Sequence, residues 1–143
     1  MAKLEKTVSI KAPAEKIFSF INDPRGLPEV WPSMVEVRNV HPGPVGGNNF
    51  DWTYKMAGML FKGSTEQLES TPNQRLVSEN KKGIPSKFVW TCQPEADGTR
   101  LNLQVEYTVP VPLVGKVAEA FIIKLNQNEM DVMLANLKAR MEA

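Results

Sequence analysis

The stretch Leu101-Asn-Leu-Gln-Val-Glu-Tyr-Thr-Val109 decides the fold. Leu101, Leu103, Val105, Tyr107 and Val109 are apolar or aromatic, and Asn102, Gln104, Glu106 and Thr108 between them are polar. Strict period-two alternation is the signature of a strand with one wet face and one covered face. The pattern recurs upstream, where Phe50, Trp52, Tyr54 and Met56 alternate with Asp51, Thr53 and Lys55. An antiparallel sheet tolerates such one-sidedness, whereas a parallel sheet is normally covered on both faces. The cover is predicted at the end of the chain. From Lys116 to Met141 nothing breaks a helix, and at ~1.5 Å per residue such a rod reaches roughly 39 Å, enough to cross a whole sheet.

Working outward, Leu4–Lys11 reads as a first strand. Pro13 opens a helix to about Asn22 with Ile17, Phe18 and Ile21 as its stripe, since proline is at home in a first helical turn. Arg25–Ser33, holding Pro28 and Pro32, is irregular or a short second helix carrying Trp31. Strands follow at Met34–Val40, Phe50–Met56, Met59–Ser70, Arg75–Asn80, Ser86–Gln93 and Thr99–Val109, and the Pro/Gly-rich stretch His41–Asn48 is a loop. Ala96-Asp97-Gly98 is a hairpin turn. Pro110 and Pro112 end the sheet and Gly115 marks the start of the helix, whose buried stripe is predicted as Val117, Ala118, Phe121, Ile122, Leu125, Val132, Met133 and Leu137. The fold class is α+β: a curved antiparallel sheet of about seven strands around a long C-terminal helix, with one or two short helices after strand one, as one domain over residues 1–143.

Composition narrows the function classes. A formal charge of +1 with dispersed lysines and arginines gives no electrostatic ground to expect nucleic acid or an anionic membrane. The longest apolar run, Met56 to Phe61, is far short of the ~20 residues of a membrane helix, so no membrane insertion is expected. The opening Met-Ala-Lys-Leu-Glu-Lys lacks the apolar core of a secretion signal, and Cys92 is the single cysteine; the expected location is cytoplasmic. With one histidine, His41, in a Pro/Gly loop and one cysteine sharing a face with Phe88 and Trp90, neither a nucleophilic triad nor a zinc cluster is expected. Phosphate-cradling and dinucleotide motifs are missing too. No metal and no redox cofactor is expected.

The segment Val8-Ser-Ile-Lys-Ala-Pro-Ala-Glu-Lys-Ile-Phe-Ser-Phe-Ile-Asn-Asp-Pro24 resembles the opening of the polyketide cyclase/dehydrase and lipid-transport family. That family is part of the START-like superfamily, which also holds the plant Bet v 1-type proteins. Gly98-Thr99-Arg100-Leu101 and Val109-Pro-Val-Pro-Leu-Val-Gly115 look like its last strand and helix start. The resemblance covers essentially the whole chain and implies a helix-grip fold, with a deep cavity between sheet and C-terminal helix for apolar or aromatic small molecules. Its motifs are structural, so it assigns no reaction.

One-sided strands under a helix too long for a minimal core predict a cavity of ~300 Å³ or more, the size useful for ligands. Trp52, Tyr54, Trp90, Tyr107, Phe121 and Met133 are the expected ligand-binding residues. The tyrosines lead, because a buried hydroxyl needs a partner and a ligand could supply one. Met56, Met59 and Met130 are further candidates for the lining, and Trp31, the Pro24–Pro32 loop, Gly58 and Pro110–Gly115 for the rim. Glu66 is the candidate catalytic acid. If Gly63 is a β-bulge, Ser64, Glu66 and Leu68 turn inward; if the alternation runs on from Phe61, Glu66 faces water. A carboxyl turned into an apolar cavity holds its proton near neutrality and suits proton transfer. Three functions follow: binding of a lipid or polyketide-like ligand, a cyclase/dehydratase-type enzyme using Glu66 and a tyrosine, or a protein-interaction module with a closed core.

Overall fold

The structure, a computed structural model, describes residues 2–110 and 116–143. Seven strands form one antiparallel sheet: β1 (Ala2–Ile10), β2 (Met34–Pro42), β3 (Asn48–Met56), β4 (Met59–Thr71), β5 (Arg75–Asn80), β6 (Ser86–Glu95) and β7 (Gly98–Tyr107). The spatial order β1-β7-β6-β5-β4-β3-β2 is a continuous meander except at β1, whose chain leaves through α1 (Ala14–Asn22), a 3₁₀ turn (Pro24–Gly26) and α2 (Leu27–Val30) to reach the opposite edge. The second helix is therefore real but one turn long. The C-terminal helix α3 runs from Lys116 to Glu142. The expected helix start at Gly115, and the Val111–Gly115 part of the rim, lie outside the described residues.

The alternation that predicts the sheet also sets its faces. Leu101, Leu103, Val105 and Tyr107 are all buried, and Arg100, Gln104 and Glu106 are exposed. β7 ends at Tyr107 and β2 runs on to Pro42, boundary shifts of two residues. Gly98 is demanded by packing: a Cβ there would sit 2.1 Å from the Ile10 carbonyl oxygen. Beside it Thr99 Oγ1 donates to the Ala12 carbonyl at 2.8 Å, so the β6–β7 hairpin braces the corner where β1 turns into α1.

The face that α3 buries differs from the predicted one. Ile122, Asn126, Met130, Met133, Leu134, Leu137 and Met141 are buried, whereas Val117, Phe121, Leu125 and Val132 are exposed on roughly the opposite side. The helix is apolar on two sides in its first half. The buried series passes through Asn126, a polar residue that a search for an apolar stripe skips.

Candidate ligand-binding cavity

A cavity of about 90 Å³ lies on the concave face of the sheet. It is smaller than the predicted ~300 Å³, because the aromatic side chains fill much of the space they were expected to rim. Trp31 is buried rather than at the mouth. Its Nε1 donates to the Tyr54 hydroxyl at 3.1 Å, and its ring meets Tyr54 edge-on at 5.5 Å and Phe88 at 5.7 Å. Trp52 stands edge-on to Tyr54 at 6.5 Å. Together with Trp90 and Phe50 these rings form an aromatic wall. At the α3 side Asn126 Nδ2 donates to the Tyr107 hydroxyl at 2.9 Å and lies 3.8 Å from the Met56 sulfur.

Of the residues the sequence singled out, Trp52, Tyr54, Trp90 and Tyr107 line this cavity. Met56 and Met130 do so too, while Met59 is exposed at the β3–β4 hairpin. Met133 is fully buried and does not reach the cavity. Phe121 is 64% exposed, a correction that follows from the rotated face of α3.

Glu66 is likewise corrected. β3 and β4 pair without a break from Phe50↔Thr65 through Trp52↔Gly63 to Met56↔Met59, so there is no bulge at Gly63. Ser64, Glu66 and Leu68 are exposed, while Gly63, Thr65 and Gln67 face inward. Gly63 has a different purpose. A Cβ on it would lie 2.5 Å from the Trp52 ring and 2.4 Å from the Lys82 carbonyl oxygen, so the missing side chain makes room for the indole. A register shift does occur, five residues later at Leu68, in the pairing of β4 with β5.

That facing gives the cavity a polar side the sequence reading missed. Thr65 Oγ1 donates to Asn80 Oδ1, Asn80 Nδ2 donates to Ser86 Oγ at 2.7 Å, and Ser86 Oγ donates to the Ile84 carbonyl at 2.8 Å. Gln67 Nε2 donates to the Asn48 carbonyl at 3.1 Å. Gln67 Oε1 and Trp52 Nε1 are buried with no hydrogen-bond partner among the described residues. The available signal was the unbroken alternation Phe61, Gly63, Thr65, Gln67.

The lining carries no Asp, Glu, Lys, Arg or His among the described residues. Its two phenols are held neutral: burial pushes both upward from the ordinary tyrosine range, only partly offset by the Trp31 N–H at Tyr54 and by Asn126 at Tyr107. Cys92 is buried beneath the sheet face, and desolvation raises its thiol to about 11. A second hollow of about 310 Å³ lies on the wet face of the sheet between Thr7, Thr91, Gln93, Arg100 and Asn102. It is an open trough without an apolar wall. No three His, Cys, Asp or Glu side chains come together as metal ligands, and no helix is long and apolar enough to cross a membrane, among the described residues.

A curved seven-stranded sheet gripping one long helix around an internal cavity is the helix-grip fold. The chain belongs to the polyketide cyclase/dehydrase and lipid transport family, which it matches over residues 1–142. No curated protein matches the sequence. Among solved structures, a protein of Thermus thermophilus is similar at 23% identity and a TM-score of 0.77, over 98% of this chain and 97% of that one. A START superfamily protein from Mycobacterium smegmatis superimposes with a TM-score of 0.78 at 19% identity, covering 98% and 97% of the two chains. The Zhui aromatase/cyclase from a Streptomyces species gives 0.76 at 14% identity over 99% and 96%. Identities this low establish the shared fold alone.

Proposed function

We propose that this protein is a binding module for a small, uncharged ligand with an apolar or aromatic body and at least one hydroxyl or keto group. The observation that carries this reading is the lining: an aromatic wall, a polar strip of neutral side chains, and no ionised group among the described residues. A carboxylate or ammonium brought there would lose its hydration without a counter-charge, a cost of several kcal/mol. A neutral hydroxyl can instead accept from Trp52 Nε1–H or donate to Gln67 Oε1, and a carbonyl can accept from Trp52 Nε1–H; both groups are buried without a partner among the described residues. Buried polar groups without partners are rare and expensive, so a ligand that pairs them gains those hydrogen bonds.

A cyclase or dehydratase needs a group to move protons, and Glu66, its candidate, lies on the solvent face. An interaction module was expected to have a closed core, and the cavity argues against that. Binding is the reading that remains best supported. Ligands larger than a few atoms require the walls to part, because about 90 Å³ is well under the ~300 Å³ of a typical ligand site.

Native mass spectrometry of the purified protein, followed by titration with 1-naphthol and 1-naphthoate, tests this. Trp31, Trp52 and Trp90 all line the cavity, so their fluorescence reports occupancy. The neutral naphthol should perturb it and bind at least roughly ten-fold more tightly than the anion. Equal or tighter binding of naphthoate would sink the proposal.

A further inference from the structure

One end of the molecule gathers three segments that are distant in sequence. The β3–β4 hairpin tip and the β5–β6 loop touch there, since Gly63 packs on the Lys82 carbonyl and Gly83 on the Lys62 carbonyl. The first turns of α3 reach the same end, because Asn126 already meets Met56, the last residue of β3, and the helix runs on for ten residues beyond it. This end exposes Met59, Leu60, Val117, Phe121 and Leu125. Leu60 is 62% exposed and Val117 86%, and they stand on a hairpin tip and a helix shoulder rather than in a groove.

Charge is gathered at the same end. Residues 55–62, 81–85 and 116–125 contain Lys55, Lys62, Lys81, Lys82, Lys116 and Lys124, against the single acid Glu119. All six lysines are exposed, and none is in an ion pair among the described residues. The whole chain carries a formal +1, so everything outside these segments is net acidic. Folding thus brings to one end six lysines that look dispersed in the sequence, beside Glu79 and Glu106, which flank Lys87 on the adjoining strands.

We propose that this end docks on an anionic lipid surface, seating the hairpin tip and the Val117–Phe121–Leu125 shoulder among the headgroups. Scattered exposed apolar residues mean little, but a cluster of them rimmed by cations at one pole is the arrangement of an interfacial anchor. Lysines within a Debye length of an anionic bilayer each add attraction, and that attraction falls with salt. The same pole carries Met56, Ile84, Tyr107 and Asn126 of the cavity lining, so docking brings the cavity to the lipid interface. The surface stands on exposure and charge alone and holds whether or not the neutral-ligand reading does.

Vesicle flotation of the full chain tests the docking. Phosphatidylcholine vesicles with a quarter phosphatidylserine should carry the protein to the top of the gradient in about 50 mM NaCl, with roughly ten-fold less in about 500 mM NaCl or on pure phosphatidylcholine. The double change Lys81→Glu/Lys82→Glu, and separately Phe121→Glu, should lower the bound fraction by roughly ten-fold. Arg75→Glu, at the β4–β5 turn on the opposite end, should leave it unchanged. The salt and lipid dependence of the unaltered chain tests the idea independently of any variant. Flotation insensitive to phosphatidylserine overturns the proposal. So does capture by immobilised polyglutamate with no vesicle binding, which would assign this face to an acidic protein.

Discussion

Residues 116–125 and 129–142 belong to one unbroken helix, yet they are held in different ways. The second stretch is fastened repeatedly. Glu129 accepts from the Ser33 amide at 2.7 Å, Asn136 donates to the Val30 carbonyl at 3.0 Å, and Lys138 donates to the Ser9 carbonyl at 2.7 Å. Lys16 caps the Met141 carbonyl at 2.7 Å, Glu142 accepts from the Lys11 amide at 2.8 Å, and Arg140 lies 5.1 Å over the Phe20 ring. Met133 and Leu137 are fully buried beneath these contacts. Among the described residues, no hydrogen bond or ion pair ties residues 116–125 to the sheet, and only Ile122 of that stretch is buried. One half of α3 anchors the fold. The other half has little holding it down and contributes nothing to the cavity lining, whose α3 residues are Asn126 and Met130, so it is the half that can open locally at low cost.

The largest expected effect separates the two halves directly. Leu137→Ala removes a side chain that is 1% exposed and should cost about 2–5 kcal/mol in urea unfolding. Phe121→Ala, an aromatic truncation in the same helix, should stay within about 0.5 kcal/mol. Similar costs at both positions would erase the distinction. Asn126 sits at the boundary. Asn126→Ala leaves the buried Tyr107 hydroxyl without its donor, and about 1–3 kcal/mol should be lost. Amide exchange should also quicken in residues 118–125 while residues 130–141 keep their protection.

A smaller effect comes from Cys92, on the inner face of β6 at the anchored end. Its thiol is raised to about 11 from a reference of 9.0 by burial alone. A group held protonated in the folded state contributes fully below its unfolded pKa, and the contribution is lost as pH climbs through the folded value. Stability should therefore fall between about pH 9 and 11, and Cys92→Ala should flatten that slope. Tyr54 and Tyr107, both shifted upward, add the same sign at higher pH. A Cys92 variant with an unchanged alkaline slope would show that the thiol is not sealed.

The sheet was legible because alternation is a local signal. Each of Leu101, Leu103, Val105 and Tyr107 declares its face by its neighbours, and all four are buried. The helix was legible in extent but not in rotation, since Val117, Phe121 and Leu125 form as regular an apolar row as Ile122, Met130 and Met133. Only the sheet's curvature decides which row is covered, and that is a long-range property. The cavity was half legible. Its aromatic wall follows from composition and period, whereas its polar strip depends on where the register shifts. Glycine in a strand signals either a bulge or a close approach, and Gly63 is the second kind because Trp52 lies against it.

Glu66 gives the smallest effect and the sharpest contrast with its neighbour. Thr65 points into the cavity and donates to buried Asn80, and Glu66, one residue on, faces water opposite Glu79 of β5. Since consecutive strand residues face opposite ways, a one-residue difference in register decides whether this carboxyl meets a ligand or solvent. In the observed register Glu66→Gln deletes one of two like charges that face each other across a strand pair. Like charges directly opposite are mildly destabilising, so stability should rise or stay level, within about 0.5 kcal/mol. Affinity for a neutral aromatic ligand should not change, because the side chain does not line the cavity. A loss of ~10²–10⁴-fold in any turnover, the usual share of a general acid, would instead restore Glu66 to the chemistry and demand a different β4 register when ligand is bound. Measuring melting temperature and ligand affinity of this one variant separates a solvent-facing glutamate from a catalytic one.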